Sequence, residues 1–171
     1  MDHRLWTNQF YVVQKPSKNL SLAEARKKIY HYCAYQERSH HEVKNKLYNL
    51  GLHSSDVDEI LTHLITEGYL NEERFAKAFA GGRFRVKHWG RIKIIQELEA
   101  KGLTKNCIDS GLKEIDESDY MKTIESLIHK KGDQLKEENP FVKREKLAKY
   151  IIQKGFEPEL AWRLIKETVK K

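Results

Sequence analysis

Apolar residues along this chain recur at helical spacing, and polar caps and glycines cut them into short segments. Ser21-Leu22-Ala23-Glu24 has the form of a capping box, in which a serine hydroxyl satisfies an orphan backbone N–H and the glutamate reciprocates. A helix is predicted from there to about Tyr35, with Leu22, Ala25, Ile29, Tyr32 and Cys33 on one stripe. Ser39-His40-His41-Glu42 repeats the pattern and opens a second helix, whose Val43, Leu47 and Leu50 precede a stop at Gly51. A third helix is predicted from near Ser55, carrying Val57, Ile60, Leu61, Leu64 and Ile65 and ending at Gly68. Three helices make one unit.

The unit recurs. Leu47-Tyr48-Asn49-Leu50-Gly51-Leu52, Leu98-Glu99-Ala100-Lys101-Gly102-Leu103 and Ile151-Ile152-Gln153-Lys154-Gly155-Phe156 share one template, with glycines 51 and 53 residues apart. Eight residues before each glycine stand Val43, Ile94 and Leu147; six after stand Val57, Ile108 and Ala161; ten after stand Leu61, Leu112 and Ile165. The second unit opens at Asn71-Glu72-Glu73, with further helices at Arg91 to Lys101 and about Lys105 to Ile115. The third opens near Ser118-Asp119 and passes a polar stretch, Lys130 to Pro140, before its last two helices. No strand-rich segment interrupts a unit, so the fold class is all-α, as three tandem three-helix repeats. The expected division is an N-terminal arm over 1–20, around Trp6 and Phe10-Tyr11-Val12-Val13, then repeats over 21–70, 71–116 and 117–171.

Composition narrows the class. Apolar residues are 39% of 171, which suits three small cores in series better than one large core. No apolar run approaches the roughly 20 residues of a membrane span, and the start lacks a secretory signal, so a soluble, cytoplasmic chain is expected. Cys33 and Cys107 have neither C-x-x-C spacing nor disulfide density and read as reduced, buried thiols.

The formal net charge is +7, and most of it lies in the middle unit. Residues 1–82 hold 11 basic and 10 acidic side chains, and residues 106–171 hold 14 and 13. Residues 83–105 hold seven basic and two acidic, a local +5. Arg83, Arg85, Lys87, Trp89, Arg91 and Lys93 are the candidate partner or nucleic-acid contacts, since guanidinium and ammonium groups neutralise phosphates and an indole stacks on bases. The same chemistry serves an acidic protein surface or a solvated helix face, and Trp89 has a second reading as a packing staple on the next helix. Gly81-Gly82 either permits close helix packing or ends its helix early.

A catalytic or metal site is not expected. His40-His41-Glu42 lacks the second histidine that H-E-x-x-H requires, and capping explains it better. The other histidines lack ligand spacing, and no phosphate loop or nucleophile elbow appears, so neither enzyme activity nor a cofactor is read from the chain.

Four pieces of sequence resemble the RecX family, the regulators of the bacterial recombinase RecA. They are Glu37-Arg38-Ser39 with Glu42-Val43 and Lys46-Leu47; Gly68-Tyr69-Leu70-Asn71-Glu72-Glu73-Arg74-Phe75-Ala76; Arg83 to Lys87 with Gly90-Arg91-Ile92; and Leu98 with Lys101-Gly102-Leu103. The resemblance covers residues 21–115, and the third unit only through its helical repeat. It implies an elongated, curved array that binds the RecA filament on single-stranded DNA; a monomer is expected because the apolar stripes are accounted for within each unit. It also implies inhibition of RecA ATP hydrolysis, strand exchange and co-protease activity, regulating recombination, DNA repair and the SOS response, and it admits direct contact with DNA. Trp89 in the basic loop, the N-terminal extension and the polar 130–140 region depart from the family pattern. Within the motifs, Leu70, Phe75 and Ala76 read as core, and Arg74 either buttresses a carboxylate between units or meets RecA. The alternatives are a stand-alone nucleic-acid-binding helical protein and a helical interaction scaffold.

Overall fold

The computed structural model describes residues 20–168; the expected N-terminal arm falls almost wholly outside them. Among the described residues there are nine helices and no strand: α1 (Leu22–Tyr35), α2 (His40–Asn49), α3 (Ser54–Thr66), α4 (Glu72–Lys87), α5 (Arg91–Ala100), α6 (Lys105–Leu112), α7 (Glu117–Gln134), α8 (Pro140–Gln153) and α9 (Pro158–Thr168). Each helix packs chiefly on the two others of its own set of three. The all-α repeat architecture read from periodicity is the observed one.

The helix ends form as the sequence dictates. Ser21 and Ser39 each close a full capping box, with Glu24 and Glu42 as the reciprocating residues. Asn71 and Asp116 cap α4 and α7 through their side-chain oxygens. After α2, α5 and α8 the chain turns through Gly51, Gly102 and Gly155, at φ +88°, +79° and +89°, the left-handed region that side chains disfavour. In each turn the N–H of the following apolar residue reaches back to close it: Leu52 to the Leu47 carbonyl, Leu103 to Leu98 and Phe156 to Ile151. Those six apolar residues are all buried, so the turn is stitched to the core on both sides.

Some expectations need correction. The polar stretch from Lys130 to Pro140 does separate α7 from α8, but its first part is helical, because α7 runs on to Gln134 with Leu127 and Ile128 holding its inner face. Gly81 and Gly82 do not end α4. The helix continues to Lys87; the three atoms nearest a methyl at Gly81 all belong to the Arg85 guanidinium, and a methyl at Gly82 would meet open space.

The cores number two rather than three. One contains Ala25, Ile29, Val43, Leu47, Val57, Ile60, Leu64 and Leu70, all from the first unit. The other runs without a break from Phe75 through Ile94, Leu98, Tyr120 and Ile124 to Phe156 and Ile165, so the second and third units share it. The division falls between Leu70 and Phe75, at the cap of α4.

What fuses the last two units is a backbone crossing. The Gly90 N–H donates to the Lys154 carbonyl at 2.9 Å, and the Ile92 N–H donates to the Gly155 carbonyl at 3.0 Å. A Cβ at Gly90 would stand 2.2 Å from the Gly155 oxygen, and one at Gly155 would stand 2.2 Å from the Lys93 Cβ. No side chain fits at either position.

The first unit is joined differently, by charged side chains. Arg74 Nε donates to Glu37 Oε1 at 2.5 Å and its Nη2 to the Gly68 carbonyl at 2.9 Å, which selects the buttressing role of the two read for Arg74. Lys101 Nζ reaches Glu42 Oε1 at 2.7 Å, and His40 Nδ1 lies 3.3 Å from Glu72. Lys101 and Lys154 both precede the repeat glycine and both reach the preceding unit, Lys154 through Nζ to the Lys87 carbonyl at 3.4 Å. In the first unit that position is Leu50, which is buried instead.

These differences set the cost of adding a methyl group. Gly155→Ala combines a left-handed backbone with a clash and is expected to lose about 2–4 kcal/mol. Gly102→Ala, with the same backbone but nothing within 4 Å, should lose about 1 kcal/mol. Gly82→Ala, in helix and open space, should gain up to about 1 kcal/mol. Urea unfolding midpoints of the three variants check this order.

Candidate functional site at the basic junction

The six residues singled out by charge lie around the break between α4 and α5. His88 ends α4 in the left-handed region, at φ 51° and ψ 49°, and its N–H closes the last turn on the Phe84 carbonyl at 2.9 Å. The chain then passes Trp89 and enters α5 at Gly90, which is pinned to the third unit. The junction is therefore held at both ends.

Its cations have different tasks. Arg91 is an internal strut: its Nη2 donates to Glu117 at 2.6 Å, its guanidinium lies 4.1 Å from the Tyr120 ring centroid, and its backbone N–H donates to the Tyr120 hydroxyl at 3.0 Å. The Tyr120 hydroxyl in turn donates to Glu157 at 2.7 Å. Burial, followed by the Glu157 carboxylate that accepts its proton's hydrogen bond, holds this phenol above its ordinary pKa. Tyr120 is fully buried between Phe84 and Phe156, so one side chain ties α4, α5, α7 and the segment before α9.

Trp89 is half-buried against the shared core, which matches its staple reading, and cations cover it from two sides. The Arg83 guanidinium lies 5.1 Å and the Lys93 ammonium 4.6 Å from its ring. Arg83 also lies 4.9 Å from the Phe79 ring. Ring contacts of this kind orient a cation without cancelling its charge. Arg85 and Lys87 are exposed, and among the described residues no ion pair engages either one. The structure thus brings all six to one junction but divides them: Arg91 braces the fold, Arg83, Trp89 and Lys93 stack together, and Arg85 and Lys87 stay exposed, with the Arg85 guanidinium lying over Gly81.

Sequence reading missed the clasp lysines Lys101 and Lys154, although their shared place before the repeat glycine was visible. It also missed Lys122 and Lys130 of α7, which come close to Arg85 only because the third unit packs against the second. The His40-His41-Glu42 group does what capping predicts: the Glu42 carboxylate accepts from the Ser39 N–H. Burial raises the Cys33 thiol to about 11, in keeping with an unreactive core residue.

The division is measurable. Tyr120→Phe leaves Glu157 and the Arg91 N–H without their buried partner and should cost about 1–3 kcal/mol in urea unfolding. An Arg85→Gln, Lys87→Gln double variant should stay within about 0.5 kcal/mol of the parent in the same experiment.

The comparisons with known proteins agree with this architecture. A family model described as the second three-helix domain of RecX matches residues 71–112. The regulatory protein RecX of Chlorobium limicola is 30% identical over 155 residues, covering 90% of this chain and 89% of that protein. The regulatory protein RecX of Geobacillus kaustophilus is 29% identical over 147 residues, covering 84% of this chain and 55% of its own, so the chain spans about half the length of that relative. Among solved structures, RecX from Lactobacillus salivarius superposes with a TM-score of 0.75 at 22% identity, covering 85% of this chain and 95% of that one. Another regulatory protein RecX structure gives 0.76 at 20% identity, over 85% and 71%. These structures share the helical fold, and the Chlorobium relative shares the sequence along nearly the whole length of both proteins. The chain belongs to the RecX family of regulatory proteins.

Proposed function

We propose that this protein regulates RecA by binding its filament on single-stranded DNA and inhibiting ATP hydrolysis, strand exchange and co-protease activity. It acts as a non-enzymatic, monomeric cytoplasmic protein, with repeats over 21–70, 71–116 and 117–171 and an arm over 1–20. Membership in a family of regulatory proteins, read along nearly the full chain, carries this reading. The basic junction supports a contact role for the second repeat, since Arg85 and Lys87 are exposed at an end of α4 that other contacts already hold in place. Cations placed on a rigid element attract a negatively charged filament without first having to be ordered. Among the described residues no helix is long and apolar enough to cross a membrane.

The test is RecA ATP hydrolysis on single-stranded DNA, titrated with the parent protein and an Arg83→Gln, Arg85→Gln, Lys87→Gln variant at matched salt. The parent should slow hydrolysis, and the variant should need about tenfold more protein for the same effect, equivalent to about 1.4 kcal/mol. Equal inhibition by both removes the junction from the contact, and absence of inhibition by the parent removes the reading itself. Binding of DNA alone, with no effect on RecA, would favour the stand-alone nucleic-acid reading.

A further inference from the structure

Between the end of α4 and the outer face of α7 lies a cleft of about 330 Å³. Phe84 and Leu127 form its floor and are nearly buried. Arg85 and His88 line it from α4, and Lys122, Thr123, Ser126 and Lys130 line it from α7. Asp119 is the one carboxylate in the lining, and it stands 4.0 Å from Lys122. Three permanent cations therefore face one carboxylate.

The spacing on α7 bears on what would fit. Lys122, Ser126 and Lys130 are four residues apart and share a face, each step advancing about 6 Å along the helix. A single compact anion needs donors that converge on a point. Donors strung over about 12 Å suit a chain of anions instead. Every polar group in the lining apart from Asp119 can donate a hydrogen bond, and the aromatic floor is too buried for a base to stack on it. Recognition would thus go to a backbone rather than to base edges. A flexible single strand can follow donors on two helices into a cleft, whereas the phosphates of a duplex are held on a fixed, wider frame. The walls are also joined directly, because Phe84 of α4 packs on the Tyr120 ring of α7 with centroids 5.7 Å apart inside the shared core.

We propose that this cleft binds the phosphodiester backbone of a single-stranded nucleic acid, with Arg85, Lys122 and Lys130 neutralising successive phosphates and Thr123 and Ser126 donating hydrogen bonds between them. The proposal rests on the filament-binding reading and extends its contact surface from the second repeat onto the third. It is tested without recombinase, so the two fail separately.

The experiment follows fluorescence anisotropy of a labelled oligothymidylate against the full chain over a series of salt concentrations. A Lys122→Gln, Lys130→Gln variant, altered at two exposed positions, should bind at least tenfold more weakly at low salt. Its slope of log affinity against log salt should be shallower by roughly 1.4, for two lost phosphate contacts on a single strand. A Lys27→Gln, Lys28→Gln variant on α1 should match the parent, and oligouridylate should bind the parent about as well as oligothymidylate. Circular dichroism melts confirm that the variants are folded. Unchanged affinity and slope in the α7 variant, tighter binding of the matching duplex, or no binding by the parent at low salt would each overturn the cleft. Failed oligonucleotide binding alongside intact inhibition of RecA would overturn the cleft and leave the regulatory reading standing.

Discussion

Two glycines from different repeats, Gly90 and Gly155, let their main chains come close enough for the first N–H groups of α5 to bond to the turn that follows α8. Helix starts have unpaired N–H groups and helix ends have unpaired carbonyls, so this crossing satisfies both deficits at once. Every other feature of the basic junction follows from it. The crossing seats Arg91 over Tyr120, places Lys93 beside Trp89, and continues the second core into the third unit. Repeats that merely touched would have kept separate cores, whereas these two share one.

The charge pattern then takes on a structural meaning. Net charge alone treats Arg85 and Arg91 as equals, yet Arg91 has a carboxylate, a ring and a buried hydroxyl around it, while Arg85 is exposed and pairs with no carboxylate among the described residues. Burying a guanidinium part-way is tolerable only with such partners, and once they are supplied its charge is no longer free to attract a ligand. The platform of Arg83, Trp89 and Lys93 is intermediate, since ring contacts orient a cation without cancelling its charge.

Helix starts and stops were legible because the determinants are local: a serine with a glutamate three residues on, or a glycine after an apolar stripe. The shared register of Val43, Ile94 and Leu147 was legible for the same reason, and all three are fully buried. The number of cores was not legible, since Leu70 and Phe75 look alike in sequence and differ only in which helices they face. The α7 side of the cleft was hidden for a related reason. Lys122 and Lys130 lie in a segment whose basic and acidic residues nearly balance, and their proximity to Arg85 is a product of tertiary packing. Trp89 could be read either way because the surroundings that decide between staple and platform come from Arg83 on one helix and Lys93 on another.

The first unit has its own core and meets the rest through side chains that water can compete for. Two buried polar atoms at that seam, Glu37 Oε2 and His40 Nε2, have no hydrogen-bond partner among the described residues. Ion pairs of this exposure contribute about 1 kcal/mol or less each, far below the stabilisation of a continuous apolar core. Mechanically the protein is therefore a rigid pair with a tethered single. A tethered head that lets go of an extended partner is kept near it by its linked neighbour and rebinds at a high effective concentration. Release from an extended partner held by both parts would then be stepwise, the first unit letting go before the fused pair.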